Sequence, residues 1–264
     1  MVNSVELFKS LEKKLMSTNI EMINEAWNLS NETLQLSKSN PKDCWMKLWD
    51  KPLYQGVKVA YANKWKKELV DIGMNNIFSN FVDINQFSVD YSDDKFVLKG
   101  DLGKLINNEV KAPKRKIYAI YTGAHMLNKR MKINTKFPFY DIPEDHQKLE
   151  FIITQMLEEL KKINNAPSWW GAITICHFLT DFGLAIKPDF HVCKTLKHFS
   201  LNVDEDLVID SFIRGKTNLN LKEIILINQT VFKLKNLLGQ EYPLRYVDKV
   251  LMEFSRQKLF GKVA

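Results

Sequence analysis

Residues 164–199 read NNAPSWWGAITICHFLTDFGLAIKPDFHVCKTLKHF, and the rest of the chain is organised around them. A turn at 164–171 carries Pro167, Ser168, Trp169, Trp170 and Gly171. An apolar run then predicts a helix over 172–182. A short connection ends in Lys187-Pro188-Asp189-Phe190-His191. After Asp189 the apolar residues Val192, Leu196 and Phe199 recur at helical spacing, so a second helix starts there. Asp after a proline and before such a run is a natural N-cap, accepting backbone N–H bonds at the positive end of the helix dipole. Many such aspartates only cap. The same setting also keeps a carboxylate ionised where it can stabilise positive charge on a sugar or orient a water.

Outward from this stretch the chain predicts mostly helix. Residues 144–163 carry Leu149, Ile152, Ile153, Met156, Leu157 and Leu160 on one face. Similar patterns mark 4–17, 20–37, 54–72, 205–212, 221–238 and 243–259. Asn3 and Glu6 suit the first helix start, Asn40-Pro41 breaks the second pattern, and Gly73 suits a helix C-terminus. Pro243 suits a first turn. Residues 87–98 alternate instead (Phe87, Val89, Tyr91, then Phe96, Leu98) and predict a β-hairpin. Residues 111–116 (KAPKRK, including Arg115) read as a linker, a solvated loop or a phosphate contact. Residues 117–121 read as a short helix or strand, and Lys129, Arg130, Lys132 and Lys136 as a second basic cluster. The fold expected is mainly α and two-lobed, with a small β-hairpin in the N-terminal half. The boundary is placed between a region 1–110 and a catalytic region 111–264.

The 264 residues carry a net charge of +7 and a 45% hydrophobic fraction. A sizeable core is therefore available, and the basic balance suits a polyanionic partner. Cys44, Cys176 and Cys193 form no CxxC pair, which argues against a disulfide framework, a zinc site or an iron–sulfur cluster. They read as small buried hydrophobes. His177, among Ile175, Phe178 and Leu179, reads as a core histidine. No secretory leader and no membrane-spanning run is visible, so a soluble, cytoplasmic protein is expected.

Helix 144–163, the turn and helix 172–182 make a helix–hairpin–helix, followed by an Asp-x-His at a helix start. Here the sequence resembles the helix-hairpin-helix-GPD superfamily of DNA base-excision glycosylases, on its 8-oxoguanine glycosylase-like branch. Ala166-Pro167 is similar to the Leu-Pro of that family's phosphate-binding hairpin, and Pro188-Asp189-Phe190-His191 to its loop end and catalytic Asp-x-His. Residues 244–251 are similar to its C-terminal helix. The likeness spans roughly residues 117–264; residues 1–110 carry no family signature.

The resemblance implies double-stranded DNA with a damaged or modified base as partner, base flipping, and Asp189 as the catalytic carboxylate. Pro167, Ser168, Gly171 and His191 would lie on the backbone, with Lys187, Arg115 and Lys194 on phosphates. Trp169 and Trp170 are either core residues or a base pocket or DNA wedge; two in a row cannot both face the same way. Phe139, in the aromatic loop 137–140 with Phe137 and Tyr140, is a weaker pocket candidate. Ser168 and Trp170 stand where the family favours glycine, and Ala172 where its Schiff-base lysine stands. Without that amine the lyase step lacks its nucleophile, which implies a monofunctional DNA N-glycosylase. No cofactor and no metal are expected, and the protein is expected to be a monomer. The alternative is a helical DNA-binding protein of the same fold without catalysis.

Overall fold

The computed structural model describes residues 4–73, 82–83, 86–92, 95–163, 169–198 and 219–262. Among the described residues the protein is mainly helical, with one small antiparallel sheet. The chain forms two compact units whose segments alternate along the sequence. The first holds Met1–Gln35, Glu144–Phe151 and Leu179–Ala264; the second holds Leu36–Pro143 and Ile152–Phe178. The boundary expected after residue 110 falls inside the second unit, because segments far apart in sequence share each core.

In the first unit, α1 (Ser4–Thr18) and α2 (Ile20–Asn31) pack on α11 (Leu244–Arg256). Phe8, Leu11 and Leu15 of α1 and Ile23 and Ala26 of α2 are buried, as the helical spacing requires. Against them α11 buries Tyr246, Val247, Val250, Leu251 and Phe254. Trp27 stacks on Tyr246 at 4.0 Å. The Tyr246 hydroxyl donates to Glu12. Two further helices, α9 (Phe190–His198) and α10 (Leu221–Leu238), also pack on α11. A capping box between Asn220 and Glu223 opens α10. The pattern expected to run to residue 37 stops at Asn31, because the chain turns away and the Leu34 amide donates to the Asp181 carbonyl.

In the second unit, Asn40-Pro41 starts a helix rather than only breaking one. The Asn40 side chain caps α3 (Pro41–Leu48), and Pro41 sits in its first turn, where a missing N–H is harmless. The expected helix at 54–72 is α4 (Val59–Asp71), preceded by the 3-10 turn Lys51–Tyr54; Gly73 follows at φ +83, a left-handed value that suits glycine. The hairpin is β1 (Ser88–Ser92) paired with β2 (Lys95–Lys99), with Val89 opposite Leu98 and Tyr91 opposite Phe96. After α5 (Gly100–Glu109) the basic segment leads into α6 (Lys114–Ile133), which buries Ile117 to Ala124 almost all round. Helices α7 (Leu149–Lys161) and α8 (Ala172–Leu179) follow; the first three residues of α7 and Leu179 at the end of α8 are counted in the first unit. The expected helix at 205–212, the tip of the hairpin and residues 164–168 of the turn lie outside the described residues, as does Asn3.

One residue in each basic segment is corrected by burial, while Lys111, Lys114, Arg115, Lys129, Lys132 and Lys136 are exposed. Lys116 is 5% exposed and donates to the Pro52 and Gln55 carbonyls, so it is not a solvated or phosphate-facing residue. Arg130 is 4% exposed; its guanidinium grips Glu159 through two bonds of 2.8 and 2.6 Å and Asp141 at 2.6 Å. A buried cation must be paired, and this one is built into the core. All three cysteines are buried and free, and burial pushes the Cys44 thiol up to about 12. Among the described residues no helix is long and apolar enough to cross a membrane.

Candidate functional site

Asp189 is held where local chemistry puts it. Pro188 before it disfavours helix at Lys187, and the Asp189 amide turns back to the Lys187 carbonyl at 2.7 Å. The Ile186 amide donates to the buried Asn228 side chain of α10 at 2.8 Å, which pins the connection. Asp189 Oδ1 then accepts from the His191 and Val192 amides at 2.9 and 3.0 Å, and the Asp189 carbonyl accepts from Cys193 at 3.0 Å to start α9. Asp189 is thus the expected N-cap. Both side-chain bonds land on Oδ1; Oδ2 makes no hydrogen bond to a described residue. One oxygen anchors the carboxylate and the other is uncommitted among the described residues, in a half-buried position.

Helix α9 is fastened to α11. Thr195 Oγ1 donates to the Leu251 carbonyl at 2.8 Å, and His191 Nδ1 lies 3.1 Å from Ser255 Oγ. An ion network ties α11 to the loop preceding Asp189: Arg245 reaches Asp181 at 3.5 Å and Asp248 at 3.4 Å. Asp248 is 5% exposed, and its Oδ1 is buried without a hydrogen-bond partner among the described residues. Burial pushes its carboxyl from the usual 3.8 up to about 7. Arg245 opposes that rise, the charge of Asp189 adds to it, and Lys187 and Lys249 oppose it. Asp189, Lys187 and His191 therefore belong to one unit, with Arg245 and Asp248 beside them.

The aromatic candidates belong to the other unit. Trp170 is 6% exposed, its indole N–H donates to the Ala119 carbonyl at 2.7 Å, and its ring packs against Gly123, where a Cβ would meet it at 3.0 Å. Phe139 is fully buried, with Arg130 4.8 Å and Phe178 5.8 Å from its ring. At 0% exposure it lies in the core and not on an open pocket wall among the described residues. Trp169 is 38% exposed, edge-on to Phe96 at 6.0 Å and with the Arg115 guanidinium 5.9 Å from its ring. It holds φ +58, a left-handed conformation strained for a bulky residue. Among the described residues of the turn, Trp169 takes the glycine-like conformation, while the carbonyl of Gly171 receives the amides of Thr174 and Ile175 as α8 begins. Ala172 opens α8 and carries no amine. Pro167 and Ser168 lie outside the described residues. His177 is half-buried and edge-on to Tyr54 at 5.7 Å.

Sequence reasoning passed over three residues here. Phe190 follows Asp189 and is 43% exposed. Its one signal was an apolar residue at the first position of a helix, off the buried stripe. Arg245 and Asp248 were visible only as part of the C-terminal likeness. That Asp248 falls on the Leu244–Leu251 face of α11 was the available signal for its burial. Comparison of the chain with protein-family profiles, curated proteins and solved structures returned no match.

Proposed function

We propose that this chain is a monofunctional DNA glycosylase in which Asp189 assists hydrolysis of the bond between a flipped, damaged or modified base and its deoxyribose. The observation that carries the reading is the asymmetric use of the Asp189 carboxylate: Oδ1 is fixed by two amides at the start of α9, and Oδ2 accepts from no described residue. As the C1′–N bond breaks, its electron pair leaves with the base and positive charge develops on the sugar. A fixed anion favours that charge without reorganising. Water adds at C1′, its proton is lost, and an abasic sugar and a free base result. The net charge of +7 and the exposed Trp169–Arg115 pair suit a DNA partner. A non-catalytic DNA-binding protein is the second reading, favoured by Ala172 at the start of α8.

The test incubates the protein with duplexes carrying 8-oxoguanine, uracil, alkylated or hypermodified bases, then alkali. Strand breaks are expected for wild type and not for Asp189→Asn. Equal breaks in both would remove Asp189 from the chemistry. Salt-sensitive binding without breaks on any duplex would select the second reading.

A further inference from the structure

The outer side of α9 carries an aromatic ring and then cations, and a second ring, Phe260 of the C-terminal 3-10 turn Leu259–Lys262, lies beside them. Phe190, the first helical residue, is 43% exposed and directly follows Asp189. One turn on, the Lys194 ammonium lies 5.9 Å from the Phe190 ring and 4.7 Å from the Phe260 ring. Lys194 makes no ion pair with any described residue. The Phe260 ring also meets His198 edge-on at 4.7 Å, and Lys197 beside it is exposed. The opposite side of α9 (Val192, Cys193, Thr195, Leu196) is buried, and Phe260 packs edge-on against the buried Phe254 at 5.6 Å, which leaves Phe190 as the ring of the three that lies outside the core.

The contacts of the Phe190 ring with Lys194 and His191 are small surface terms, and they leave much of the ring in water. Alternating flat apolar faces and cations are, however, what a strand of nucleic acid requires, with bases or sugars on the rings and phosphates on the ammonium groups. We infer that Phe190 and Lys194 of α9, with Phe260 beside them, form a DNA-strand-binding surface, with Phe190 stacking on a nucleotide and Lys194 meeting a phosphate. The inference rests on the DNA-binding half of the proposed function and is independent of excision. It adds an aromatic contact next to Asp189 on the first unit itself.

The experiment measures fluorescence anisotropy of a labelled duplex and its single strand, with unmodified bases, against the full chain carrying Asp189→Asn. Phe190→Ala in that background is expected to weaken binding by roughly tenfold, in line with loss of one base–aromatic stack. Phe190→Trp is expected to retain binding. Phe190→Leu, which keeps apolar bulk but loses the flat face, is expected to weaken it, and it keeps the test sound if the alanine variant misfolds. Lys194→Gln is expected to lower the slope of log K against log salt by roughly one phosphate contact. Unchanged affinity in both Phe190→Ala and Phe190→Leu, or no DNA binding by the parent, would overturn the inference. Phe190-dependent binding with no excision of any base by wild type would sustain it while removing the glycosylase reading. Excision with Phe190-independent binding would do the reverse.

Discussion

Trp169 and Trp170 are neighbours in sequence whose rings stand in opposite settings, one 38% exposed and the other 6%. Trp170 is anchored by the Ala119 carbonyl, which leaves the chain to turn at Trp169 through φ +58. A left-handed non-glycine residue costs about 1 kcal/mol or more. Trp169→Gly removes that strain but also loses the Phe96 and Arg115 contacts, together about as large. The melting temperature is therefore expected to move little. DNA affinity by anisotropy is expected to fall several-fold if the exposed indole meets DNA. A large drop in melting temperature with unchanged affinity would mark Trp169 as a structural residue only.

Asp189 has a structural duty and a proposed chemical one, and two substitutions separate them. Asn is as good an N-cap as Asp, so Asp189→Asn should melt like wild type; Asp189→Ala should lose about 1 kcal/mol. Excision should vanish in both. Urea denaturation followed by circular dichroism reads the first quantity and alkali-induced strand breaks the second. If Asp189→Asn proves as unstable as Asp189→Ala, the capping bonds from His191 and Val192 are not what holds the start of α9.

Arg130 should behave as a core residue despite its place in a basic cluster. Removing it leaves Glu159 and Asp141 facing each other without the cation between them. Arg130→Ala is expected to destabilise the second unit by about 3 kcal/mol or more. Arg130→Lys is expected to recover only part of this, because an ammonium cannot reproduce the two-bond grip on Glu159. The salt dependence of DNA binding should stay unchanged in Arg130→Lys. A lowered salt slope with full stability would return Arg130 to the surface.

How much of this was readable depends on what each signal encodes. The hairpin was readable because Val89 and Leu98 face the core while their strand neighbours do not, and a period of two shows that directly. The N-cap at Asp189 was readable because proline, cap residue and apolar run are all local. Arg130 and Lys116 were misread because charge in a sequence does not say which way a side chain points; their partners Glu159 and Gln55 are distant in the chain. Asn40-Pro41 was half-read, since the same dipeptide that ends one pattern caps the next helix. The alternation of the two units could not be seen at all, because no local pattern tells which distant segments share a core.

Burial of Asp248 makes the stability of the first unit depend on pH. Its carboxyl titrates near 3.8 in the unfolded chain and at about 7 in the folded one, chiefly through burial. Between those values the folded state holds a proton that the unfolded state has released. Stability from this group is therefore fully present below about pH 4, declines as pH rises through the window, and is flat above about 7. The groups acting on it are Arg245, Lys187 and Lys249, which favour the charged form, and Asp189, which opposes it. Beyond them Asp181 faces Arg245, while Glu25 and Glu253 face Lys249. Asp248→Asn keeps the shape and removes the titration. It is expected to be close to wild type at about pH 4 and to gain on it by a few kcal/mol at most by about pH 8, read as urea midpoints across that range. Parallel pH profiles for the two proteins would show that Asp248 is already ionised in the folded state, with Arg245 overcoming its burial.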